Sequence, residues 1–306
     1  QSLYAQQSLQ INKRTTLGAG IRFQKNSITI LDLINTSAPN YSQYTVPHKK
    51  LNSNENNYAF NIGLNNKINK NIEIYTRMGN GFRFPNVDDR IGGSGNASLK
   101  LKTQKTNEFE LGFKNKIGLY NSNTSFFIID AKNEIAYDAT NFVNINLNKT
   151  RRYGLEYDSS VKLKDNLKLN NSFSFTKAKF RSGDQGSYAT NYNGNDIPLV
   201  PQILFNTGLN WKITKNNTFN TNISYQDDMR MENDEKNFQN TKIPNHLKTD
   251  IGIKSIIRNF QISLNIDNLL NERFHNYAVS SASTIGTYNA YPEPGRELSL
   301  TISSKF

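Results

Sequence analysis

Apolar and polar residues alternate with a period of two along most of this chain. In the last such segment Leu298, Leu300 and Ile302 fall on one face, and Ser299 and Thr301 fall on the other. This alternation is typical of a β-strand with one apolar and one polar face. Because the pattern recurs about thirteen times between residues 1 and 306, the sequence predicts an all-β protein built from antiparallel strands.

The predicted connections are alternately short and long. Short turns such as 69–71 and 215–217 alternate with long polar segments, which are 31–56, 83–105 and 181–201. Antiparallel neighbours joined in this way place the short turns at one end of the sheet and the long loops at the other. Bacterial outer-membrane barrels have this asymmetry, whereas soluble β-sandwiches usually have short links at both ends.

Composition excludes membrane-spanning helices but leaves a transmembrane barrel open. Only 36% of residues are hydrophobic and the mean hydropathy is −0.67, yet 11% are aromatic. No apolar run approaches the roughly 18–20 residues of a membrane-spanning helix, but a barrel strand needs only about 9–11 alternating residues. Thirteen strands do not close a standard barrel, and lipid does not tolerate unpaired edges. We therefore expect residues 1–306 to be the C-terminal portion of a larger barrel, beginning within the fold.

The polar strand faces are predicted to line the lumen of this barrel, because lumen-facing and lipid-facing residues alternate. The resulting mixed-sign wall comprises Glu108, Glu110, Lys114, Glu156, Asp158, Lys162, Lys248, Asp250 and Lys254. Trp211 and Phe219 flank a short turn on apolar faces, which favours an aromatic girdle at the periplasmic interface. The alternative, that the two rings pack a hairpin of a soluble core, stays open.

Neither charge nor motifs indicate an enzyme. The net charge is +12, but the sequence has no basic helix or basic–aromatic motif, so no nucleic-acid partner is expected. The absence of cysteine fits an oxidising compartment. There is no Gly-x-Ser-x-Gly, no phosphate loop and no His/Cys metal spacing, and Asp88 and Asp89 are interpreted as a solvated loop pair. We therefore predict no catalysis and no cofactor. We also predict no metal site, because His48, His246 and His275 are isolated from one another.

Five short strings of residues lie at the predicted strand ends. They contain Gly81, Phe82, Arg83, Pro85 and Asn86; Glu110 and Gly112; Gly154 and Glu156; Asn268 and Leu269; and Pro292, Pro294, Gly295, Arg296 and the terminal Phe306. In residue type and in order these strings resemble elements of TonB-dependent outer-membrane receptors. In the second string Leu101-Lys102 stands where that family usually has Pro-Glu. Since prolines and glycines shape strand ends, these residues are expected to form loop exits rather than ligand contacts.

The resemblance implies a barrel of roughly 22 strands with an N-terminal plug, of which this chain supplies about the last thirteen. Such a receptor lies in the outer membrane of a Gram-negative bacterium. It binds a scarce nutrient, most often a ferric siderophore or other iron complex, otherwise haem, cobalamin or a glycan, and imports it with energy transmitted by TonB. The implied partners are outer-membrane lipid, the TonB complex acting through the plug, the barrel-assembly machinery recognising Phe306, and a small-molecule metal chelate.

Ligand contacts are expected in the loops and the upper lumen. Aromatic and cationic side chains suit anionic, aromatic iron chelates. The candidates are Tyr41, Tyr44, Arg90, Arg181, Tyr188, Tyr192, Arg230, His275 and Tyr288. A passive porin or sugar channel and a barrel enzyme such as an outer-membrane protease or lipase remain alternatives. A plug with a TonB box would favour active transport over a channel.

Overall fold

The computed structural model describes residues 1–31, 50–90, 101–138, 143–147, 149–181, 192–281 and 283–304. Within them thirteen strands form one antiparallel sheet. These are β1 (Ser2–Gln10), β2 (Thr15–Leu31), β3 (Lys50–Lys67), β4 (Ile72–Arg83), β5 (Gln104–Ile117), β6 (Tyr120–Lys132), β9 (Lys149–Lys164), β10 (Leu167–Phe180), β11 (Ile203–Lys212), β12 (Asn217–Gln226), β13 (His246–Ile257), β14 (Phe260–Asp267) and β17 (Glu297–Ser304). The loops add the hairpins β7 (Ile135–Asp138)–β8 (Val143–Asn146) and β15 (His275–Ser280)–β16 (Tyr288–Pro292), and the single turn α1 (Val87–Arg90).

The sheet is a meander in which each strand pairs with the next sheet strand along the chain. The all-β antiparallel architecture and the count of thirteen are confirmed. In the described part of the chain, β1 and β17 each have a neighbour on one side only, so the sheet is curved but not closed. No helix among the described residues has the length and apolar character needed to cross a membrane.

Side-chain oxygens that bond to the backbone build the four-residue turns. Asn12 Oδ1 accepts from the backbone N of Arg14 and Thr15 at 2.8 and 2.9 Å. Asn69 makes the equivalent pair of bonds in the next turn, and Thr214 Oγ1 makes it in a third. Asn and Thr favour these positions because a short polar side chain can mimic a backbone turn. The predicted short turns are thereby confirmed as products of local sequence.

The apolar strand faces lie on the outside of the sheet and are exposed. Across β3, β4 and β5, Ile62 lies opposite Met78, and Met78 lies opposite Phe109. At the other side, Trp211 lies opposite Phe219 and is 41% exposed. A soluble protein would bury such a continuous belt, whereas a membrane barrel presents it to lipid. We call this surface, with its rows on every sheet strand, the apolar belt.

Two predicted boundaries were wrong. The alternation after the turn near Tyr120 predicts one strand over about 123–137, but β6 ends at Lys132. Asn133 has a left-handed φ of 58°, and the chain turns there into the β7–β8 hairpin. The polar segment predicted for residues 31–56 ends early, because β3 begins at Lys50 and pairs with β2 along its whole length. The polar residues here extend the strands past the apolar belt, where no apolar face is needed.

Conventional packing is concentrated at the loop end of the sheet. One small core contains Leu147, Ala178, Phe180 and Ile197, and a second contains Met229, Met231, Ile243 and Ala278. Both join the tops of strands to the loops that follow them. The segment 227–245 also contacts the β15–β16 hairpin through the parallel bridge between Glu232 and Val279. The long connections β10–β11, β12–β13 and β14–β17 thus form one interlocked unit.

Candidate functional site

The inner face of the curved sheet is concave and polar. Near the short turns it lines an open space of about 950 Å³ whose wall is rich in asparagine, serine and lysine. Ion pairs cross this wall, with Lys114 Nζ 3.0 Å from a Glu73 carboxylate oxygen and Arg77 4.0 Å from Glu110. Charges of both signs therefore line the concave face, as predicted for the lumen wall.

Tyr75 lies at the centre of the charged wall and explains one of the family strings. Its hydroxyl donates to Glu110 Oε1 at 2.8 Å, while Arg77 and Lys114 flank its ring at 5.0 and 4.9 Å from the centroid. The ring lies directly over Gly112, where an added β-carbon would come within 2.0 Å of Tyr75 Cζ. The Glu-x-Gly spacing thus provides a carboxylate for the hydroxyl and room for the ring.

A second cavity, of about 650 Å³, lies between the inner wall and the loop end. We call it the loop-end cavity. Glu156 and Asp158 line it from β9, and His246, Phe274 and Glu293 line it from the loop side. The His246 and Phe274 rings stack at 4.1 Å between centroids with an interplanar angle of 13°. The cavity therefore offers aromatic surface and carboxylate oxygens to a small molecule entering from the loops.

Asn268 holds the Phe274 side of this cavity in place. Its side chain is 1% exposed, donates to the backbone oxygens of Glu272 and Pro294 at 2.8 and 3.3 Å, and accepts from Glu272 N at 2.9 Å. Glu293 N in turn donates to Phe274 O at 3.0 Å. The two family strings around Asn268 and Pro294 are thereby tied together across the β15–β16 hairpin.

The neighbouring string residues continue this junction. Leu269 N donates to Thr249 O at 2.7 Å, and Arg296 N donates to Asn271 Oδ1 at 3.0 Å. Gly295 lies against the same Asn271 Oδ1, which would be 2.9 Å from an added β-carbon. Pro292 ends β16 opposite His275.

The first family string closes around Asp89. Arg83 Nη2 donates to both carboxylate oxygens of Asp89, at 3.0 and 2.9 Å. Asn86 N donates to Asp89 Oδ2 and Asp89 N donates to Asn86 Oδ1, a reciprocal pair at the start of α1. Pro85 is fully buried beside them, and Phe82 and Phe84 meet edge to face at 5.1 Å. The interpretation of Asp89 as a solvated residue was therefore wrong, because the string wraps around its carboxylate.

Gly154 has a steric role in the sheet. A β-carbon at Gly154 would lie 1.9 Å from the carbonyl oxygen of Phe175 on β10 and 3.1 Å from the Phe127 ring. Beside it Arg152 forms an ion pair with Glu134 at 2.9 Å, which joins β9 to the start of the β7–β8 loop. Glu156, two residues further on, faces the loop-end cavity.

Arg90 and Arg230, two of the arginines predicted to contact ligand, already form ion pairs with carboxylates of the protein. Arg90 is 1% exposed and lies 2.6 Å from a Glu55 carboxylate oxygen, whose partner oxygen accepts from Thr103 Oγ1. Arg230 contacts Asp234 at 3.1 Å and donates to Gln239 O at 2.8 Å.

The remaining ligand candidates are dispersed. Tyr192 packs on Phe180 at 5.6 Å, His275 starts β15, and Tyr288 is 40% exposed on β16. Arg181 is exposed and lies next to Lys149 on the outer side of the sheet, its N donating to Lys149 O at 2.8 Å. Tyr41, Tyr44, Tyr188 and Phe306 lie outside the described residues. The contacts with ligand stay a prediction.

The sequence did not indicate the stack of His246 on Phe274. His246 was interpreted as isolated from the other histidines, and its contact with Phe274, 28 residues further along the chain, is made only by the tertiary structure. The only local signal was the aromatic residue at the end of the Asn268 string. Among the described residues no group of three His, Asp or Glu side chains is arranged to hold a metal ion.

Residues 1–269 match the family model described as TonB dependent receptor-like, beta-barrel. The iron-regulated outer membrane virulence protein of Vibrio cholerae serotype O1 (strain O395) is 25% identical over 171 residues, which are 48% of this chain and 25% of that protein.

Solved structures with the same fold include the siderophore receptor PiuA from Acinetobacter baumannii, with a TM-score of 0.76, 17% identity, and coverage of 98% of this chain and 42% of that one. The ferric-catecholate import receptor Fiu from Escherichia coli K12 has a TM-score of 0.75 and 18% identity, with coverage of 100% of this chain and 44% of that one. The copper transporter OprC has a TM-score of 0.77 and 16% identity, with coverage of 100% of this chain and 47% of that one. The chain therefore spans less than half the length of these structures. It belongs to the TonB-dependent receptor β-barrel family of the Gram-negative outer membrane.

Proposed function

We propose that this chain is the C-terminal portion of the barrel of an outer-membrane receptor that binds a metal chelate and imports it with energy transmitted by TonB. The observation that carries the proposal is the packing of the long connections over the loop end of the concave face. A polar concave face leads to a cavity of about 650 Å³, above which three long connections are locked together. A receptor must hold its ligand before transport, and packed connections above the cavity suit that role better than they suit a passive pore.

Iron complexes are the favoured substrates, since siderophore and ferric-catecholate receptors share the fold. A copper transporter shares it equally well, and for that reason we propose the class of metal chelates rather than one compound. Arg90 and Arg230 already face carboxylates, so we assign ligand contact to stacking and hydrogen bonding at the loop end rather than to free positive charge. Tyr288 and the His246–Phe274 stack are the proposed contacts.

Growth and uptake test the transport proposal. A strain that lacks the protein should fail to grow on one member of a panel of iron and copper chelates as sole metal source, and the intact gene should restore growth. Dissipating the proton gradient should abolish uptake and leave surface binding intact. Uptake that continues without the gradient would instead identify a channel.

A pair of tyrosines tests the site. Tyr288→Ala should weaken chelate binding to whole cells by about three- to tenfold, the range expected for losing one aromatic contact. Tyr153→Ala is the matched control, because Tyr153 is equally exposed, at 41% against 40%, but lies on the outer face. Equal binding by the two variants would remove Tyr288 from the site.

Deletion of Phe306 tests a separate part of the proposal, recognition by the assembly machinery, and should lower the amount of barrel in the outer membrane.

A further inference from the structure

Positively charged side chains form a row across four neighbouring strands at the loop end. Lys105 on β5 lies directly opposite Lys132 on β6, and Lys132 lies opposite Lys149 on β9. Arg181 extends the row past the end of β10, where its N donates to Lys149 O at 2.8 Å. We call these four residues the basic row.

The basic row lies on the outer, membrane-facing side of the sheet. Lys132 and Lys149 share the face of Ile128 and Tyr153, which belong to the apolar belt and are four residues away along their strands. Four residues span about 13 Å at the rise of a β-strand. On the opposite face of the same strand ends, Thr150 and Phe180 are buried beneath the loops. The row therefore lies just beyond the apolar belt, on the side of the long loops.

The charges of the basic row are compensated only in part, because the Asp130 carboxylate attracts Arg181 but binds Arg151 directly. Directly opposite side chains are about 4.5–5.5 Å apart at Cβ, and like charges in that position destabilise a sheet. The acids of the adjacent row are already engaged, since Asp130 binds Arg151 at 2.6 and 2.7 Å and Asp196 binds Lys179 at 2.6 Å. Among the residues that the structure describes, the four basic-row side chains make no ion pair.

The position of these cations does not follow from the basic composition alone. At the short-turn end of the same strands the outer face carries Ile117 and Leu163, whereas Lys116, Lys162 and Lys164 lie on the inner face. On the described parts of these strands, the cations of the outer face thus lie toward the loops and not toward the short turns. A lipid bilayer has its phosphate groups at the boundary of its apolar interior.

We propose that the basic row binds the phosphate groups of lipid headgroups in the outer leaflet of the membrane. The row offers four cations on adjacent strands to anions that lie immediately above the acyl chains. Charge-assisted hydrogen bonds from ammonium and guanidinium groups to phosphate are short and strong, and they relieve the repulsion within the row. Nearby Lys177, also on the outer face, adds a fifth cation to the same surface.

Lipid retention tests this proposal. The protein purified from outer membranes in mild detergent is mixed with diphosphorylated lipid A, and bound lipid is counted by native mass spectrometry. The triple variant Lys132→Gln, Lys149→Gln, Arg181→Gln should lose affinity by a factor of about five for each cation removed. The matched control is Lys116→Gln, Lys162→Gln, Lys164→Gln, which removes the same charge from the inner face and should retain lipid normally.

Three results would overturn the proposal: equal lipid retention by the basic-row and control variants, equal binding of dephosphorylated lipid A, or displacement of the lipid by inorganic phosphate at matched concentration. Heat-modifiable migration in gel electrophoresis checks that each barrel is folded. If the triple variant does not assemble, the single changes Lys105→Gln and Lys149→Gln replace it, and Lys149→Arg should restore lipid binding.

Discussion

The two ends of the sheet are built in different ways. At the short-turn end, connections of two to four residues are held by their own backbone and by Asn or Thr oxygens, as at Asn12 and Asn69. At the loop end, buried side chains from distant segments form two cores, centred on Phe180 and Ile243, both 0% exposed. Between the ends, the apolar side chains face outward. Buried apolar packing is therefore found among the loops and not on the strand faces, because lipid takes the place of a protein core along the strands of a membrane barrel.

A glycine substitution should have the largest effect, because it breaks the sheet that both ends share. Gly154→Val places side-chain atoms where the carbonyl oxygen of Phe175 lies 1.9 Å from the β-carbon position, so β9 and β10 cannot keep their pairing. We expect loss of most folded protein from the outer membrane, measured by heat-modifiable migration in gels. Gly208→Val is the control, since its closest neighbour is an Asn222 side-chain oxygen at 3.5 Å. Similar yields of the two variants would contradict this, since they would mean that β9 and β10 can shift at Gly154 to accommodate a side chain.

Removal of a core ring should separate the two ends. Phe180→Ala should destabilise the loop unit by about 3–5 kcal/mol, the usual cost for a buried phenylalanine. The loops should then become sensitive to protease added to whole cells while the barrel stays folded. Phe109→Ala removes the same ring from the apolar belt, where it is 47% exposed, and should leave the loops protected. Protease resistance in Phe180→Ala would show that the loops do not depend on this core.

The Asn268 junction should give an intermediate effect. Asn268→Ala leaves the backbone groups of Glu272 and Pro294 without their partner, which costs about 1–3 kcal/mol for each buried group left unsatisfied. We expect faster hydrogen exchange in the β15–β16 hairpin by mass spectrometry. Asn265→Ala, which loses only one 3.5 Å contact to Ser299 on the exposed inner face, should exchange like the parent.

The smallest effect should be a pH dependence confined to the loops. Burial raises the pKa of Glu235 above its ordinary value of 4.5, and the negative charges of Asp234, Glu232 and Asp138 add to the shift. Burial likewise raises the pKa of Glu232. Since these two carboxyls hold protons more tightly in the folded loop than in the unfolded one, their contribution to its stability is fully present below pH 4.5 and is lost as the pH rises through the raised pKa.

A spin label can detect this change, because the chain has no cysteine of its own. A label at Asn240→Cys should become more mobile as the pH rises, and the Glu235→Gln change should flatten that dependence. An equal pH response with and without Glu235→Gln would place the titrating group elsewhere.

Much of this architecture could be predicted from the order of residues, because strand alternation and turn chemistry are local properties. The thirteen strands and the Asn69 turn are both products of neighbours within a few positions. The loop unit could not be predicted in this way. Asn268 meets Pro294 across 26 residues and Gln239 reaches Ser281 across 42, and no periodicity reports such contacts. The break at Asn133 was missed for the same reason, since the hairpin after it is stabilised by packing on Phe180.

The sequence by itself determined the alternation of apolar and polar residues, the positions of the short turns and the family strings at the strand ends. Each of these features depends on side chains that are neighbours along the backbone. Only the tertiary structure decided which charges meet. It placed Arg90 on Glu55 and stacked His246 on Phe274 at the loop-end cavity. It also aligned Lys105, Lys132 and Lys149 into one surface. The physical reason is register, because the residue opposite each side chain depends on how the strands pair and not on their sequences taken singly.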